Sequence, residues 1–392
     1  MKRSTERILT THTGSLPRPA VILEAMRARE AGQPIDEPTF QKDVNDAVRA
    51  IVRDQALAGI DIVDDGECGK PSFQHYVLER LAGFEARMPP GGMPVPTGPL
   101  ATGGRDAHDF PDYYQYVLDH NPFVNTIRMA PRVCIGPISY VGQSQLQRDL
   151  ARLTSAVHGL PVTEAFVPAT SPVPAGRANE YYASSDEYFT AYADAMRTEY
   201  QAILDAGFLL QIDDPQMVSA WDARTDLTLD AYRAVCQKRV EVINYALRDL
   251  PTDRIRYHTC YGVNFGPRVS DLGLADVVDL LLSINAGSYS FEAANPRHEH
   301  EWRVFQKVKL PAGKVLIPGV VTHSNVMVEH PEVVADRIVR WAEVVGRESI
   351  IVGNDCGFAS TAGNAEIPPT VAWAKLRALG EGARLASARL WR

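Results

Sequence analysis

The chain has 392 residues, 45% of them hydrophobic, with a formal net charge of -8 and a pI near 5.7. This apolar content can bury a large core, which excludes global disorder, and the length allows one large domain or two ordinary ones. The negative charge excludes partners that select basic surfaces, namely nucleic acids and anionic membranes. Five cysteines indicate no disulfide framework. No apolar run has the length of a signal or membrane segment, so we expect a protein of the cytoplasm.

The first predicted strand covers residues 8–15, and Pro17 ends it. A helix is expected from about residue 20 to 30, and a second, clearly amphipathic one over residues 41–58. Gly59 is the expected end of that helix. The strand that follows, residues 60–67, ends in acidic residues, of which Asp64 and Asp65 are expected to be solvated turn residues.

The order of helix, glycine, apolar strand and polar strand end returns twice more. A helix that starts after Ser184 is followed by Gly207 and by a strand over residues 208–213. A helix over residues 332–345 is followed by Gly346 and by another strand. This alternation is typical of a parallel α/β protein.

Eight strands can be counted in this pattern, which predicts a (β/α)8 TIM barrel of the α/β class with functional groups at the strand C-termini. An open doubly wound sheet is the alternative. No Gly-x-Gly-x-x-Gly follows a strand, which disfavours a dinucleotide-binding domain. The predicted strands cover residues 8–15, 60–67, 162–169, 208–213, 255–260, 288–292, 315–321 and 349–355.

Residues 86–141 interrupt the pattern and are predicted to form an excursion from the barrel. Residues 86–120 are rich in Pro and Gly and then in Tyr and Asp, and they are expected to form a lid, an oligomer contact or a plain insertion. Residues 123–141 are expected to form a β-hairpin with its turn near residues 128–132. No linker divides the chain, so one domain is expected over residues 1–392.

Four metal-ligating side chains follow strands of the predicted barrel. His258 and Cys260 alternate along one strand and therefore point to the same side. Glu292 and Cys356 end two further strands. Histidine, cysteine and glutamate are ligand types that zinc accepts, so the four are predicted to form one zinc site. Taken alone, the His258–Cys260 pair also fits a buried cysteine beside a hydrogen-bonded histidine.

An ordered set of motifs resembles the catalytic barrel of cobalamin-independent methionine synthases and their single-barrel relatives, which include epoxyalkane:coenzyme M transferases. The resemblance covers almost the whole chain. Its motifs are TTHTGSLP at 10–17, DGE at 65–67, QIDDP at 211–215, HTC at 258–260, FE at 291–292, PGV at 318–320, HSN at 323–325 and NDCG at 354–357.

The resemblance implies a zinc cofactor held by His258, Cys260, Glu292 and Cys356, and His323 as the general acid that protonates the leaving group. Zinc lowers the pKa of a thiol so that a nucleophilic thiolate exists at neutral pH.

The resemblance also implies that Ser15, Glu67 and Asp213 bind the polar end of the acceptor. Ser219 stands where methionine synthases have a second amine-binding glutamate, so the identity of the acceptor thiol stays open.

The foremost functional prediction is a zinc-dependent transferase that alkylates, and specifically methylates, a small-molecule thiol. The first alternative is an epoxide–thiol ring-opening enzyme of the coenzyme M transferase type, and the second is a zinc barrel without catalysis. The donor is a methylfolate, a methyl-corrinoid protein or an epoxide. A homo-oligomer is compatible with the sequence.

Overall fold

Parallel strands form the centre of the fold. The structure, a computed structural model, describes residues 1–88, 104–120, 125–127, 130–174, 177–262, 265–364 and 367–392. In this part of the chain the larger sheet has seven strands in the order β1-β4-β6-β7-β8-β9-β10, all parallel. These strands are β1 (Ile62–Val63), β4 (Glu164–Thr170), β6 (Leu209–Asp213), β7 (Ile255–His258), β8 (Ser288–Phe291), β9 (Val315–Val321) and β10 (Gly353–Asn354).

The segment around Thr10 and Thr11 closes this sheet into a barrel. Thr11 bridges to Ile62 in β1, and Thr10 bridges to Val352, just before β10; both pairings are parallel. The amide of Thr11 donates to the Val352 carbonyl at 2.8 Å, and the amide of Ile62 donates to the Thr10 carbonyl at 3.0 Å. Counting this segment, eight parallel units surround one axis, which confirms the predicted (β/α)8 barrel and excludes the open sheet.

Helices cover the outside of the barrel and alternate with its strands. Among the described residues, no helix is long and apolar enough to cross a membrane. The helices that follow strands are amphipathic and bury one face against the sheet, as the predicted periodicity requires. The helices are α1 (Ala20–Glu30), α2 (Glu37–Leu57), α3 (Arg105–Asp109), α4 (Pro111–His120), α5 (Gln143–Val157), α6 (Ser185–Asp205), α7 (Gln216–Ala223), α8 (Leu229–Ala246), α9 (Val278–Leu282), α10 (Pro331–Val345) and α11 (Pro369–Leu390).

The barrel interior is filled by a small apolar cluster and, next to it, by one arginine. Strand residues such as Phe166 and Ile317 form this cluster separately from the core beneath the helices. The fully buried guanidinium of Arg256 lies 3.9 Å from the Phe166 ring centroid and donates to Thr11 Oγ1 at 2.9 Å. Arg256 and His258 are two residues apart on β7 and therefore point to the same side of the strand. The packed layer that contains Arg256 thus lies directly beneath the predicted metal ligands.

A second, three-stranded sheet lies outside the barrel, and it corrects the predicted hairpin. Strand β3 (Arg132–Tyr140) forms where the second half of the hairpin was expected, but its antiparallel partner is β2 (Leu81–Ala86). Strand β5 (Ala178–Asn179) pairs with the other edge of β3. The prediction missed β2 because Gly83 interrupts its apolar pattern. A Cβ at Gly83 would lie 2.7 Å from the Pro137 carbonyl oxygen, so the close pairing there requires glycine.

Part of the predicted excursion lies outside the described residues, namely residues 89–103, 121–124 and 128–129. The described part of residues 86–120 contains the helices α3 and α4. The role of this segment as a lid, an oligomer contact or an insertion stays a prediction.

A buried carboxylate on α6 joins the outer sheet to the barrel. Glu199 is 1% exposed and accepts hydrogen bonds from Tyr76 and Tyr140, both at 2.6 Å, while Arg80 lies 3.2 Å away. Burial alone would raise the pKa of Glu199, but Arg80 and the two hydroxyls outweigh burial and hold this pKa below its ordinary value. The ionised carboxylate therefore stabilises the folded state at neutral pH, and this contribution is lost as the pH falls through the folded-state pKa.

We predict that Glu199→Gln lowers the free energy of unfolding at neutral pH by about 3 kcal/mol, because Arg80 loses the more deeply buried of its two carboxylate partners and keeps only Asp149. Urea denaturation at several pH values measures the effect, which should shrink as the pH falls because protonation removes the same charge from the wild type. Glu241→Gln, on the exposed face of α8, is the control and should change stability by no more than about 0.5 kcal/mol. Equal effects of the two variants at neutral pH would contradict the stabilising role of Glu199.

Candidate active site

Three of the predicted metal ligands meet at the C-terminal end of the barrel. His258 ends β7, Cys260 follows it by two residues, and Cys356 lies two residues beyond β10. The two sulfur atoms are 3.0 Å apart, and a nitrogen of His258 lies with them in a group whose ligand atoms are all within 4.8 Å of one another. All three side chains are buried. The barrel therefore gathers one imidazole and two thiols at a single point.

The imidazole of His258 is oriented for ligation. Its Nδ1 lies 3.1 Å from the Ser290 hydroxyl, while the buried Nε2 has no hydrogen-bond partner among the described residues. Burial, together with the nearby charges of Arg256 and His323, lowers the pKa of His258 to about 3. The ring is therefore neutral, as a metal ligand must be, and one nitrogen is fixed while the other is available. The donor set of one nitrogen and two sulfurs fits zinc.

Glu292, the fourth predicted ligand, belongs to a neighbouring group. Its carboxylate accepts hydrogen bonds from the Tyr261 amide at 2.8 Å and from Asn295 Nδ2 at 2.9 Å, and Arg268 Nη2 lies 2.9 Å away. With His323 and Asp355 it forms a second group whose ligand atoms lie within 4.8 Å of one another. In this structure the main partner of the Glu292 charge is thus an arginine.

Asp355 ties together the two loops that carry Glu292 and Cys356. Its carboxylate accepts from the amides of Ala293, Ala294 and Asn295 at 2.7, 2.8 and 3.0 Å. These amides directly follow Glu292, whereas Asp355 directly precedes Cys356. A Cβ on Gly319 in β9 would clash with the Asp355 carboxylate, so only glycine leaves room for this contact.

His323 lies just after β9, next to Glu292 and Asp355. It is fully buried, and its Nε2 lies 3.1 Å from the Gly262 carbonyl, to which it donates. Burial lowers the pKa of His323 to about 4, against the opposing charge of Asp355, so the ring is neutral in this state. His323 does not itself line the cavity in front of the ligands, but Gly262 does.

A cavity of about 70 Å³ joins the ligands to the residues predicted to bind the acceptor. Its wall includes all three predicted acceptor-binding residues and the three grouped ligands. Ser15 Oγ packs so closely against Gly357, beside Cys356, that a Cβ on this glycine would clash with it. Those six lining residues are Ser15, Glu67, Asp213, His258, Cys260 and Cys356.

The polar side of the cavity is a cluster of buried acceptor oxygens. Glu67, Asp213 and Asp64 are between 0% and 5% exposed, and Glu67 Oε2 and Asp64 Oδ2 lack hydrogen-bond partners in the described part of the chain. The same is true of Gln211 Oε1. Burial raises the pKa of both Glu67 and Asp213, and the charge of Glu67 further raises the pKa of Asp213 and of Asp64, while Lys70 and Arg18 oppose the rise at Glu67. Acceptor oxygens buried without donors are costly, and a cation would satisfy them.

The family model described as the catalytic domain of cobalamin-independent synthases matches residues 178–375. This is just over half of the chain and contains all four predicted ligands. The chain belongs to the cobalamin-independent synthase family. The resemblance seen in the motifs is thereby confirmed.

Relatives within this family match nearly the full chain. A methionine synthase of Sulfurisphaera tokodaii is 24% identical over 380 residues, which are 96% of this chain and 91% of that protein. A methionine synthase of Thermococcus kodakarensis is 26% identical over 350 residues, 89% of this chain and 86% of the relative.

A solved structure of a B12-independent methionine synthase from Shewanella sp. W3-18-1, in complex with selenomethionine, superposes with a TM-score of 0.71. It is 20% identical and covers 98% of this chain and 99% of that one. A putative B12-independent methionine synthase from Listeria monocytogenes superposes with a TM-score of 0.64 at 19% identity and covers 96% and 98% of the two chains. These similarities show that the family barrel is shared.

Two features of this synthase-family site differ from the sequence-based expectation. Asp64 and Asp65 are buried at 0% and 9% exposure, so they are not solvated turn residues. Asp64 follows β1 directly and lies two residues after Ile62, whose side chain is in the barrel interior, and this alternation was the signal that could have revealed its burial. No comparable sequence pattern points to Arg268 as a residue of the site. Its loop lies outside the repeating pattern, and its partner Glu292 is distant in sequence.

Proposed function

We propose that this protein is a zinc-dependent transferase that methylates the sulfur of a small thiol bearing an amino group, in the manner of a methionine synthase. The observation that carries this proposal is the single cavity lined by one imidazole, two thiols and two buried carboxylates. The imidazole and the two thiols suit a metal ion, and the two carboxylates suit an ammonium group. Membership in the cobalamin-independent synthase family supports the same reaction class.

In this proposal His258, Cys260 and Cys356 would hold the zinc ion, and Glu292 would be its fourth ligand in the protein without acceptor. Zinc bound there would lower the pKa of the acceptor thiol and keep it as a nucleophilic thiolate. Asp355 fixes the loops of Glu292 and Cys356 relative to each other through its three backbone hydrogen bonds. The burial of all these side chains limits the contact of the sulfur with water.

The acceptor is oriented by the acidic side of the cavity. Glu67 and Asp213, with Asp64 behind them, bind the ammonium group, and Ser15 binds the carboxylate end of an amino-acid thiol. Ion pairs with buried carboxylates are sensitive to geometry, so they fix the direction from which the sulfur reaches the metal. The methyl donor is a methylfolate or a methyl-corrinoid protein.

His323 is proposed as the general acid that delivers a proton to the leaving group. Its hydrogen bond to Gly262 connects it to the cavity wall, and the Asp355 carboxylate beside it partly opposes the burial that lowers the pKa of its ring.

The epoxide–thiol alternative is disfavoured by the charge of the cavity. A coenzyme M type acceptor carries a sulfonate, and buried carboxylates at Glu67 and Asp213 would repel it. A structural zinc barrel without catalysis needs no cavity beside its ligands, because structural zinc sites are closed.

We expect the purified protein to bind about one zinc ion per chain and Cys260→Ala to lose it, because one of two thiolate ligands is removed. Elemental analysis after dialysis measures the zinc content. Cys134→Ala is the matched control, since Cys134 is a buried cysteine of the outer sheet, and it should retain zinc. Stoichiometric zinc in Cys260→Ala would refute the assignment of the metal site.

We expect His323→Gln to leave zinc content and thiol binding intact while turnover falls roughly 10²–10⁴-fold, the usual loss for a general acid. The assay uses homocysteine with methyltetrahydrofolate or methylcobalamin, whichever supports turnover by the wild type. A variant with wild-type turnover would remove His323 from the mechanism.

We expect Glu67→Gln to weaken the binding of homocysteine about tenfold or more, because a charged hydrogen-bond partner of the ammonium is lost. The affinity is measured by titrating the cobalt-substituted protein and following the absorption of the metal. The matched ligand is 4-mercaptobutyrate, which lacks the amino group and should bind to the variant at least as well as to the wild type. Equal losses for both thiols would contradict an ammonium site at Glu67.

A further inference from the structure

The contact between Arg268 and Glu292 links a buried cation to a proposed metal ligand. Arg268 is 4% exposed and Glu292 1% exposed, and Nη2 of the arginine lies 2.9 Å from the carboxylate. The other side of the guanidinium is held by Asp271, 2.7 Å from Nε. Neither Nη1 nor Nη2 makes a hydrogen bond of good geometry within the described residues, so the contact with Glu292 is an ion pair and both nitrogens keep donor capacity for a reoriented carboxylate.

The position of Arg268 is fixed by its backbone. Its φ angle is +58°, in the left-handed region that side chains other than glycine seldom adopt. The buried carboxylate of Asp106 accepts from the amide of Arg268 and, at 3.0 Å, from that of Ser270, which holds this turn in place. The Tyr261 ring lies 4.9 Å from the guanidinium carbon. Arg268 is therefore a stationary charge beside the site and not a mobile surface side chain.

We propose that Arg268 is the alternative partner of Glu292, which receives its carboxylate when the acceptor sulfur replaces it in the ligand set of His258, Cys260 and Cys356. The inference rests on the proposed function, since it takes Glu292 as the fourth ligand. The exchange is one for one: a carboxylate oxygen leaves, a thiolate sulfur enters, and the thiol proton passes to solvent. No oxidation state changes. Arg268 acts through Glu292 and is a positioning residue.

This arrangement makes Arg268 and the metal compete for one carboxylate. A carboxylate buried without a cation is strongly disfavoured, so Glu292 needs one partner or the other. Arg268 weakens zinc binding in the absence of thiol, because Glu292 must leave it to reach the metal. Arg268 also favours thiol binding, because the displaced Glu292 carboxylate can pair with it. A change at Arg268 must therefore move the two affinities in opposite directions.

The experiment compares wild type, Arg268→Gln, Arg268→Lys and the double variant Arg268→Gln with Glu292→Gln. Zinc affinity without thiol is measured by competition with a chromophoric chelator, and homocysteine affinity by titration of the cobalt-loaded protein. Arg268→Gln should bind zinc about tenfold more tightly and homocysteine about tenfold more weakly, within the range that residues supporting metal ligands control. Arg268→Lys, which keeps the charge, should lie between it and the wild type. The double variant should lose the gain in zinc affinity.

Arg233→Gln is the control, because it breaks an arginine–carboxylate pair on the surface, with Asp279, and should change neither affinity. Circular dichroism verifies that each variant is folded, and the lysine variant carries the test should the glutamine variant fail to fold. Unchanged zinc affinity in folded Arg268 variants, or a gain that persists in the double variant, would overturn the inference and leave the proposed function standing. A wild type that binds no zinc would overturn both.

Discussion

Closure of the barrel is the constraint on which the site depends. Cys260 follows β7 and Cys356 follows β10, and the order β7-β8-β9-β10 separates these strands by two others. In a flat sheet three strand spacings amount to about 14 Å. The sulfur atoms nevertheless lie 3.0 Å apart, because the sheet curls until Thr10 and Thr11 join its two edges. The N-terminal segment thus helps to bring His258, Cys260 and Cys356 together, although none of its own side chains belongs to this group.

The second determinant is a concentration of buried carboxylates, in which Glu292 is paired with Arg268 while Asp64 and Glu67 each keep one oxygen without a donor among the described residues. Carboxylates of Asp64, Glu67, Asp213, Glu292 and Asp355 are all between 0% and 5% exposed around the C-terminal end of the barrel. Burial raises the pKa of each of them, because a buried site disfavours the charged form. Such a site costs stability and is suited to ligands of positive charge. A metal ion at one end of the cavity and an ammonium group at the other would each supply one.

The sequence was sufficient for the barrel and for the meeting of His258, Cys260 and Cys356 at one end of it, because both follow from regular patterns, whereas Glu292 lies in a neighbouring group. Apolar strands that end in polar residues recur along the chain, and parallel strands bring such ends to one edge. His258 and Cys260 share a side through simple alternation. Pairings between distant segments carry no such signal. The partner of β3 is β2, whose pattern Gly83 interrupts, and Arg268 reaches Glu292 only through a turn that Asp106 holds. Asp64 was misjudged because its acidic neighbours suggested an exposed turn.

We propose that the cavity presents a thiol to a metal held by two cysteines and one histidine, with Glu292 as the ligand that leaves. Zinc-edge X-ray absorption of the loaded protein tests it most directly, since sulfur and oxygen or nitrogen scatterers differ in bond length and amplitude. The account predicts two sulfur ligands in the resting protein and three after addition of homocysteine, with the loss of one light ligand. A sulfur count that stays at two with homocysteine bound, or a resting site made only of nitrogen and oxygen, would contradict it.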